Sequence, residues 1–178
     1  MHLAGVDSEK ISPLEILYDN VLSGDSTNRE AVAAKKYFSA LFGCTFKRTD
    51  EDITNSALNY GYTILRSSIA KTLIAYGYNC ILGIHHIGES NAFNLADDII
   101  EPFRPLVDLW TDNSCDDLWE SLTKENRRDL VNLINVPMKM GKKKTRVRYA
   151  IDMCISSLTS AINKQDPDLF QLPELIQI

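Results

Sequence analysis

The longest helical pattern in the chain lies at residues 53–76, which read ITNSALNYGYTILRSSIAKTLIAY. Small or apolar side chains occur in almost every turn, so this pattern predicts a long central helix that is buried nearly all round. Asp52 just before it is a typical N-cap residue, and Gly77 just after it is a typical helix stop. On such a helix Tyr60 and Tyr62 are expected to pack in the core, and Gly61 to let a neighbouring helix approach closely.

Weaker helical patterns flank this central stretch on both sides. Thr27-Asn28-Arg29-Glu30 has the spacing of a capping box, and Gly43 is the expected stop of the helix that follows it. Pro102 lies inside another pattern, where it must remove a backbone hydrogen bond, so we expect a kink there. The further helices are predicted, in chain order, over residues 13–22, 30–42, 93–110, 123–136 and 145–163.

The predicted fold class is all-α, because no alternating strand pattern of useful length is present, although residues 44–48 could form a short extended piece. We expect one multi-helix domain over residues 14–164, built around the central helix. Residues 1–13 are interpreted as a leader or linker, and residues 165–178 as a loosely held C-terminal tail. No internal repeat or Gly/Ser-rich linker indicates a second domain.

The composition supports a single globular domain with a sizeable core. The chain has 178 residues, of which 44% are hydrophobic, and a formal net charge of −5. No apolar run reaches the roughly 18 residues of a membrane span, and no signal-peptide pattern follows Met1, so we expect a cytoplasmic protein that does not interact with membranes. Its four cysteines form no Cys-x-x-Cys pair, which argues against zinc ribbons and thioredoxin chemistry; we expect reduced, buried thiols.

Positive charge is concentrated in residues 139–148. This stretch carries six positive charges and no negative one, which leaves −11 for the rest of the chain. Such an uneven distribution suits a protein that binds a polyanion at one place and holds a metal or repels phosphate elsewhere. The alternative interpretation is a solvated loop followed by a first helical turn.

Glu30 is the first candidate for a chemical role. At 100° per residue it falls on the same side of its helix as Ala34, Tyr37, Phe38 and Leu41, so its carboxylate is predicted to face the core. The alternative is that Glu30 completes the capping box with its partner Thr27, and the two roles are compatible.

Asp97, Asp98 and Glu101 form the second candidate group, because they share one helical face with Arg104. A solvated acidic face is the usual explanation of such a pattern. Three clustered carboxylates beside one arginine nevertheless repel each other, and a hard divalent cation with oxygen ligands would relieve that repulsion.

His86 is the third candidate, since it lies 12 residues before Asp98 and 15 before Glu101 in a connector that begins at Gly83. His85 is its rival, and a loop histidine is more often solvated or hydrogen-bonded than a metal ligand. The chain has three histidines in all, and no Glu-x-x-His, His-Glu-x-x-His, Gly-x-Ser-x-Gly or Walker motif, which argues against di-iron bundles, zincins, serine hydrolases and P-loop NTPases.

Four ordered segments together resemble the CRISPR-associated integrases, the Cas-one family, and look closest to its type II branch. The resemblance covers roughly residues 14–161. The segments that carry it are Asn28-Arg29-Glu30-Ala31 with Tyr37-Phe38, Leu58-Asn59-Tyr60-Gly61-Tyr62, Leu82-Gly83-Ile84-His85-His86, and Phe93-Asn94-Leu95-Ala96-Asp97-Asp98-Ile99-Ile100-Glu101-Pro102-Phe103-Arg104-Pro105.

The resemblance implies a helical catalytic domain that holds Mg²⁺ or Mn²⁺ through a glutamate, a histidine and a final acidic residue. Matched residue by residue, these are Glu30, His86 and Glu101. His86 is preferred to His85 because the family's ligand follows Gly-x-x. Asp98 matches a nearby acidic position that assists or contributes a ligand in some members, and it is our second choice as a metal ligand.

The resemblance further implies a metal-dependent DNA endonuclease and integrase of CRISPR adaptation. In that activity the 3′-hydroxyl of a prespacer strand attacks a phosphodiester at the CRISPR leader-repeat junction by transesterification, and nuclease activity is the same chemistry with water. The metal would stabilise charge on the entering and leaving oxygens. The expected phosphate contacts are Lys142, Lys143, Lys144, Arg146 and Arg148, with Arg48, Arg66 and Arg104 as weaker candidates.

The chain departs from the family in one respect. Family members begin with a β-rich N-terminal domain that helps to build a homodimer, whereas this sequence starts just upstream of the catalytic helices, so we expect a C-terminal fragment. The family also implies a Cas-two partner protein, for which residues 168–178 are a possible docking strand. The alternative hypothesis is a non-catalytic helical module that binds DNA or partner proteins.

Overall fold

The computed structural model of the chain describes residues 29–176, together with residues 5, 6, 9, 11, 12, 14 and 16. Most of the helix predicted at residues 13–22, and the Thr27 end of the predicted capping box, lie outside the described residues. No helix in the described part is long and apolar enough to cross a membrane.

Bounds are defined for six α-helices and three short strands in the described part of the chain. The helices are α1 (Arg29–Phe42), α2 (Ile53–Ala75), α3 (Asn94–Ile100), α4 (Arg104–Asn113), α5 (Lys124–Asn132) and α6 (Val147–Lys164). The strands are β1 (Pro137–Met140), β2 (Lys143–Arg146) and β3 (Pro173–Glu174).

Helix α2 is the centre of the fold, as predicted. The Asp52 side chain caps it by accepting a hydrogen bond from the Asn55 amide at 2.7 Å, and Gly77 follows it with a positive φ of 86°. It packs against α3, α4, α5 and α6. A Cβ on Gly61 would lie 2.5 Å from a methyl carbon of Val107, so this glycine does permit the close approach of α4.

The prediction that this helix is buried nearly all round is wrong for one face. Ser56, Asn59, Thr63, Ser67 and Lys71 are exposed and recur every three or four residues, which is the spacing of a single helical stripe. Four of these five residues are uncharged. They therefore give no clear polar face in a sequence that is otherwise rich in apolar residues, and the exposed side of the helix was not predicted.

The predicted interruption of the next helix at Pro102 is confirmed. Helix α3 ends at Ile100, a single 3-10 turn runs over Glu101–Phe103, and α4 continues from Arg104. Phe103 is fully buried, whereas Glu101 is exposed. The turn therefore anchors its apolar side in the core while it carries a carboxylate to the surface.

The all-α prediction is only partly correct, because the mainly helical fold includes a three-stranded antiparallel sheet. Its strand order is β2-β1-β3, and a turn at Gly141, which has φ of 56°, joins β1 to β2. In β1 the side chains of Met138 and Met140 are buried, but β2 has no buried residue. An edge strand without a buried face does not alternate apolar and polar residues, so its sequence lacks the pattern by which strands are predicted.

The C-terminal tail is not loosely held, contrary to our expectation. Met140 of β1 pairs with Pro173 of β3, and the Lys139 ammonium lies 2.7 Å from the Glu174 carboxylate. The Gln171 amide also donates to the Ser157 hydroxyl on α6 at 3.0 Å. Residues 171–174, part of the segment suggested as a docking strand, are thus held against the body of their own chain.

The cysteine prediction is correct for two of the four thiols. All four are free; Cys80 and Cys154 are buried, whereas Cys44 and Cys115 are exposed. Burial raises the pKa of the Cys154 thiol to about 12.

Candidate functional site

A cleft of about 790 Å³ lies between α1 and the segment that runs from the residue 84–86 loop through α3 to Pro102. We call it the acidic cleft. The residues predicted as metal ligands all line it: Glu30, His86, Asp98 and Glu101. Phe170 and Leu172 from the C-terminal tail complete one side. The fold therefore brings these residues to one place, although 71 positions separate the first from the last.

Asp98 organises the loop that carries the histidines. Its Oδ2 accepts hydrogen bonds from the amides of Ile84 and His85, and its Oδ1 accepts from the His86 amide at 3.0 Å. The side chain is only 7% exposed. Three consecutive backbone amides thus converge on one carboxylate, which fixes the loop against the first turns of α3.

The pKa of Asp98 lies below its ordinary value. Burial acts to raise it, but the hydrogen bonds from the His86 amide, the His86 imidazole and the Ile84 and His85 amides outweigh burial. Asp98 is therefore a carboxylate near neutral pH, with its oxygens engaged by donors of this loop.

Gly83 is required for this loop geometry. A Cβ at this position would lie 2.1 Å from the His86 carbonyl oxygen and 3.0 Å from Oδ2 of Asp98. Any side chain would push the histidine segment away from the carboxylate that holds it.

The two neighbouring histidines have different surroundings. The His86 ring places Nδ1 2.7 Å from Oδ1 of Asp98, and its side chain is 39% exposed. A carboxylate partner favours the tautomer with the proton on Nδ1, which leaves the Nε2 lone pair available as a metal ligand. His85 instead turns its Nε2 towards Oε2 of Glu30, at 3.6 Å.

The two glutamates of the cleft lie on opposite walls. Glu30 in the first turn of α1 is 59% exposed, so it faces the cleft and not the core, and the prediction of a core-facing carboxylate is wrong. Helix α1 has no buried residue, so the apolar side of this helix lies at the edge of the core and not inside it. Glu101 is 54% exposed, and its Oε1 accepts a hydrogen bond from Nε of Arg104 at 2.9 Å.

These residues are of the kinds that bind a divalent cation, and they line one cleft. Two exposed carboxylates and an imidazole with a free Nε2 are a suitable donor set, and the Asp98–His86 pair is the usual support of a metal-binding histidine. In this conformation, however, no three His, Cys, Asp or Glu side chains among the described residues are grouped closely enough to hold a metal ion. Binding a cation through Glu30, His86 and Glu101 would require these side chains to move closer together.

A buried network beside the cleft was missed in the sequence. Asp108 on α4 is 2% exposed, and its two oxygens accept hydrogen bonds from the hydroxyls of Tyr37, at 2.7 Å, and Tyr62. Burial raises the pKa of Asp108, and the tyrosine hydroxyls and nearby arginines offset part of that rise. Burial and the Asp108 carboxylate raise the pKa of both tyrosines. The sequence feature that could have indicated this network is an aspartate between Val107 and Leu109, inside an otherwise apolar stretch of the helix.

The basic residues of positions 142–148 lie on a β-hairpin and on the start of the helix that follows it. They are exposed, and they occupy the β1–β2 turn (Lys142), strand β2 (Lys143, Lys144, Arg146) and the first turn of α6 (Arg148). We call this feature the basic hairpin. Strand β3, at the other edge of the sheet, contacts the Glu101–Phe103 turn. Neighbouring strands lie about 4.8 Å apart, so β2 runs roughly 10 Å from β3, the strand that contacts this turn.

The three weaker candidates for DNA contact form a separate group around α2. Arg48 donates to Asn59 at 2.8 Å, and Arg104 lies over the Tyr62 ring with 4.6 Å between its Cζ and the ring centroid. Arg66 lies 3.6 Å from the Asp97 carboxylate. Arg66 and Arg104 line a smaller groove of about 240 Å³, on the other side of α3 from the acidic cleft.

Comparison with known proteins identifies the family of this chain. Residues 25–115, which include the four acidic-cleft residues, match the family described as CRISPR associated protein Cas1. The chain belongs to the Cas1 family. It is 39% identical over 167 residues to the CRISPR-associated endonuclease Cas1 of Neisseria meningitidis serogroup C (strain 8013), and 35% identical over 98 residues to a CRISPR-associated endonuclease Cas1 of Pyrobaculum aerophilum.

The matches also define how much of a Cas1 protein is present. The alignment with the Neisseria protein covers 93% of this chain but 55% of that protein, and the Pyrobaculum alignment covers 50% and 33%. The chain thus spans about half the length of its Neisseria relative. Among solved structures, a casposase bound to an integration product has the same fold, with a TM-score of 0.66 over 88% of this chain and 60% of that one, at 20% identity.

Proposed function

We propose that this chain is the catalytic part of a Cas1-type DNA endonuclease and integrase that depends on Mg²⁺ or Mn²⁺. The observation that carries the proposal is the Asp98–His86 pair inside the acidic cleft, which is also lined by two exposed glutamates, Glu30 and Glu101. Membership of the Cas1 family supports the assignment of the cleft to DNA strand cleavage and joining.

Each cleft residue has a separate proposed role. Glu30, His86 and Glu101 would hold the cation, which supplies Lewis-acid stabilisation of charge on phosphodiester oxygens. Asp98 orients His86 and holds the loop. Because hydrogen bonds from four donors already occupy the Asp98 oxygens, a positioning role suits it better than a ligand role.

The basic hairpin and the arginines around α2 are the proposed DNA contacts. Exposed lysines and arginines would bind phosphates without reading the base sequence. The proposed substrates are prespacer DNA and the leader-repeat junction of a CRISPR array, joined by transesterification. A homodimer and a Cas-two partner are proposed for the full-length protein on the strength of the family.

A strand-cleavage assay tests this proposal. We expect the wild type to nick or join labelled DNA in the presence of Mn²⁺, and His86→Ala and Glu101→Ala to react at least tenfold more slowly, since the loss of even a residue that supports a metal ligand typically costs 10- to 100-fold. His85→Ala is the matched control, because His85 lies in the same loop but lacks the Asp98 contact to its ring. A rate that depends on His85 and not on His86 would refute the assignment.

A second candidate function is a non-catalytic DNA-binding module of the same family. It is favoured because no three His, Cys, Asp or Glu side chains in the described part of the chain are grouped closely enough to hold a metal ion. This module would shift DNA in a gel without cutting or joining it at any Mn²⁺ concentration. The same assay therefore separates the two functions.

A further inference from the structure

Asp108 connects helices that are far apart in sequence. It lies on α4, it receives the Tyr37 hydroxyl from α1, and it receives the Tyr62 hydroxyl from α2. One carboxylate thus joins the helix that carries Glu30 to the central helix of the fold. A buried carboxylate that accepts two hydroxyls is a costly arrangement to break, because removal of either hydroxyl leaves a desolvated oxygen with fewer donors.

Helix α1 is also attached to the core through aromatic side chains. None of its residues is buried. Phe38 and Phe42 pack against the core from its C-terminal half, where they also contact the Phe46 ring. Aromatic packing of this kind sets how close the helix lies to the body, but it leaves rotation about the helix axis less restricted than a directional hydrogen bond does.

The position of Tyr37 relative to Glu30 makes that rotation important. Seven residues separate them, which is two turns of α-helix, so the two side chains leave α1 within about 20° of each other and about 10 Å apart along its axis. A contact that fixes the direction of Tyr37 therefore also fixes the direction of Glu30. Glu30 faces the acidic cleft from this wall, opposite Glu101.

The other oxygen of Asp108 is held independently of α1. Tyr62 donates to it from α2, and the guanidinium groups of Arg48 and Arg104 lie over the Tyr62 ring, at 5.7 and 4.6 Å from its centroid. The carboxylate is therefore also held from α2, by a contact that does not involve α1. It presents one oriented oxygen to Tyr37.

We propose that Asp108 is a positioning residue of the acidic cleft, which sets the direction of Glu30 through the Tyr37 hydroxyl while Tyr62 holds the carboxylate in place. The catalytic meaning of this role rests on the proposed function, but the structural claim does not. Asp108 does not contact the reacting groups; it acts through α1.

Hydrogen exchange measured on the whole chain tests the proposal with a matched pair of variants. Tyr37→Phe and Tyr62→Phe each remove one hydroxyl from Asp108 and keep the ring, so both are expected to fold. We expect amides of residues 33–36 to exchange about tenfold faster in Tyr37→Phe, with residues 53–75 unchanged. Tyr62→Phe keeps the Tyr37 hydroxyl on Asp108 but loosens the carboxylate, so we expect a smaller acceleration at residues 33–36 in that variant. Equal exchange of residues 33–36 in Tyr37→Phe and wild type, or a larger acceleration in Tyr62→Phe than in Tyr37→Phe, would overturn the proposal.

Steady-state kinetics then connect the position of α1 to the reaction. In the strand-cleavage assay Tyr37→Phe is expected to lower kcat about tenfold with little change in KM for DNA, because Glu30 is misdirected while the phosphate contacts remain. A change in KM alone would contradict a positioning role. If the wild type does not cleave DNA, the proposed function fails, and the exchange result still decides whether Asp108 positions α1.

Discussion

Replacing Asp98 with asparagine tests the central contact of the acidic cleft. The substitution keeps the side-chain volume but exchanges one acceptor oxygen for an NH₂ group, which cannot accept a hydrogen bond. If the amide oxygen keeps the two His86 bonds, at 3.0 and 2.7 Å, the NH₂ group must face the Ile84 and His85 amides, which are donors themselves.

The structure sets the size of the expected effect. At least one hydrogen bond to a buried charge is removed, worth about 1.5–3 kcal/mol, and two donors are brought together, so we expect a decrease of about 2–4 kcal/mol in the free energy of unfolding. For a domain of this size each kcal/mol lowers Tm by about 2–4 °C. The variant should therefore melt roughly 4–16 °C below the wild type at pH 7.

The matched control is Asp97→Asn, at the adjacent position. Asp97 forms an ion pair with Arg66 at 3.6 Å and accepts from Asn91 at 2.8 Å; an asparagine can keep the second contact, and a partly exposed ion pair contributes about 0–1 kcal/mol. Thermal unfolding followed by circular dichroism compares the two variants with the wild type. Equal melting of Asp98→Asn and Asp97→Asn would refute our account of the loop.

The effect should also depend on pH. The folded-state pKa of Asp98 is lowered, so the stability from its charge is fully present above the unfolded-state value of about 3.9 and is lost as pH falls through the folded-state pKa. The difference in Tm between wild type and Asp98→Asn should therefore be constant from pH 7 to about pH 5 and narrow below about pH 4. A gap that widens in acid would contradict the lowered pKa.

Three further outcomes are expected. Changing residues 142–144 to alanine should make the slope of log K for DNA against log salt shallower, by about 0.9 for each phosphate that is no longer neutralised, and an unchanged slope would exclude the basic hairpin from the DNA site. Gly61→Ala should destabilise the chain by about 1–3 kcal/mol in urea unfolding, since its Cβ would meet Val107 at 2.5 Å, whereas exposed Ser67→Ala should change little. A thiol reagent should modify exposed Cys44 within minutes but Cys154 only after unfolding, because Cys154 is buried and its pKa is raised; equal rates would contradict the described packing.

The sequence predicted the structure best where a single residue determines the backbone conformation around it. The ends of α2 follow from the Asp52 cap and from Gly77, and the break before α4 follows from Pro102, because each of these residues restricts its own backbone. The acidic-cleft residues were identified from the resemblance, and the fold does bring them to a common cleft.

The sequence was least informative where a residue's surroundings come from distant segments. Strand β2 does not alternate apolar and polar residues, because it is an exposed edge strand. Strand β3 has only two residues, and it is defined by its pairing with β1, where Pro173 lies opposite Met140. The role of Asp108 likewise depends on Tyr37, 71 positions away in the chain. None of these contacts leaves a periodic pattern, so only the folded structure brings them into view.

The position of the basic hairpin has a consequence for the solubility of the chain. Strand β2 is one edge of the described sheet, and its outer backbone groups could pair with a strand of another molecule. Mutual repulsion between the lysines of two copies opposes that pairing, so the charges that are proposed to attract DNA would also keep the chains apart. Variants that replace these lysines with alanine should therefore be checked by light scattering before their DNA affinity is interpreted, because self-association through a neutral edge would lower apparent binding for a different reason.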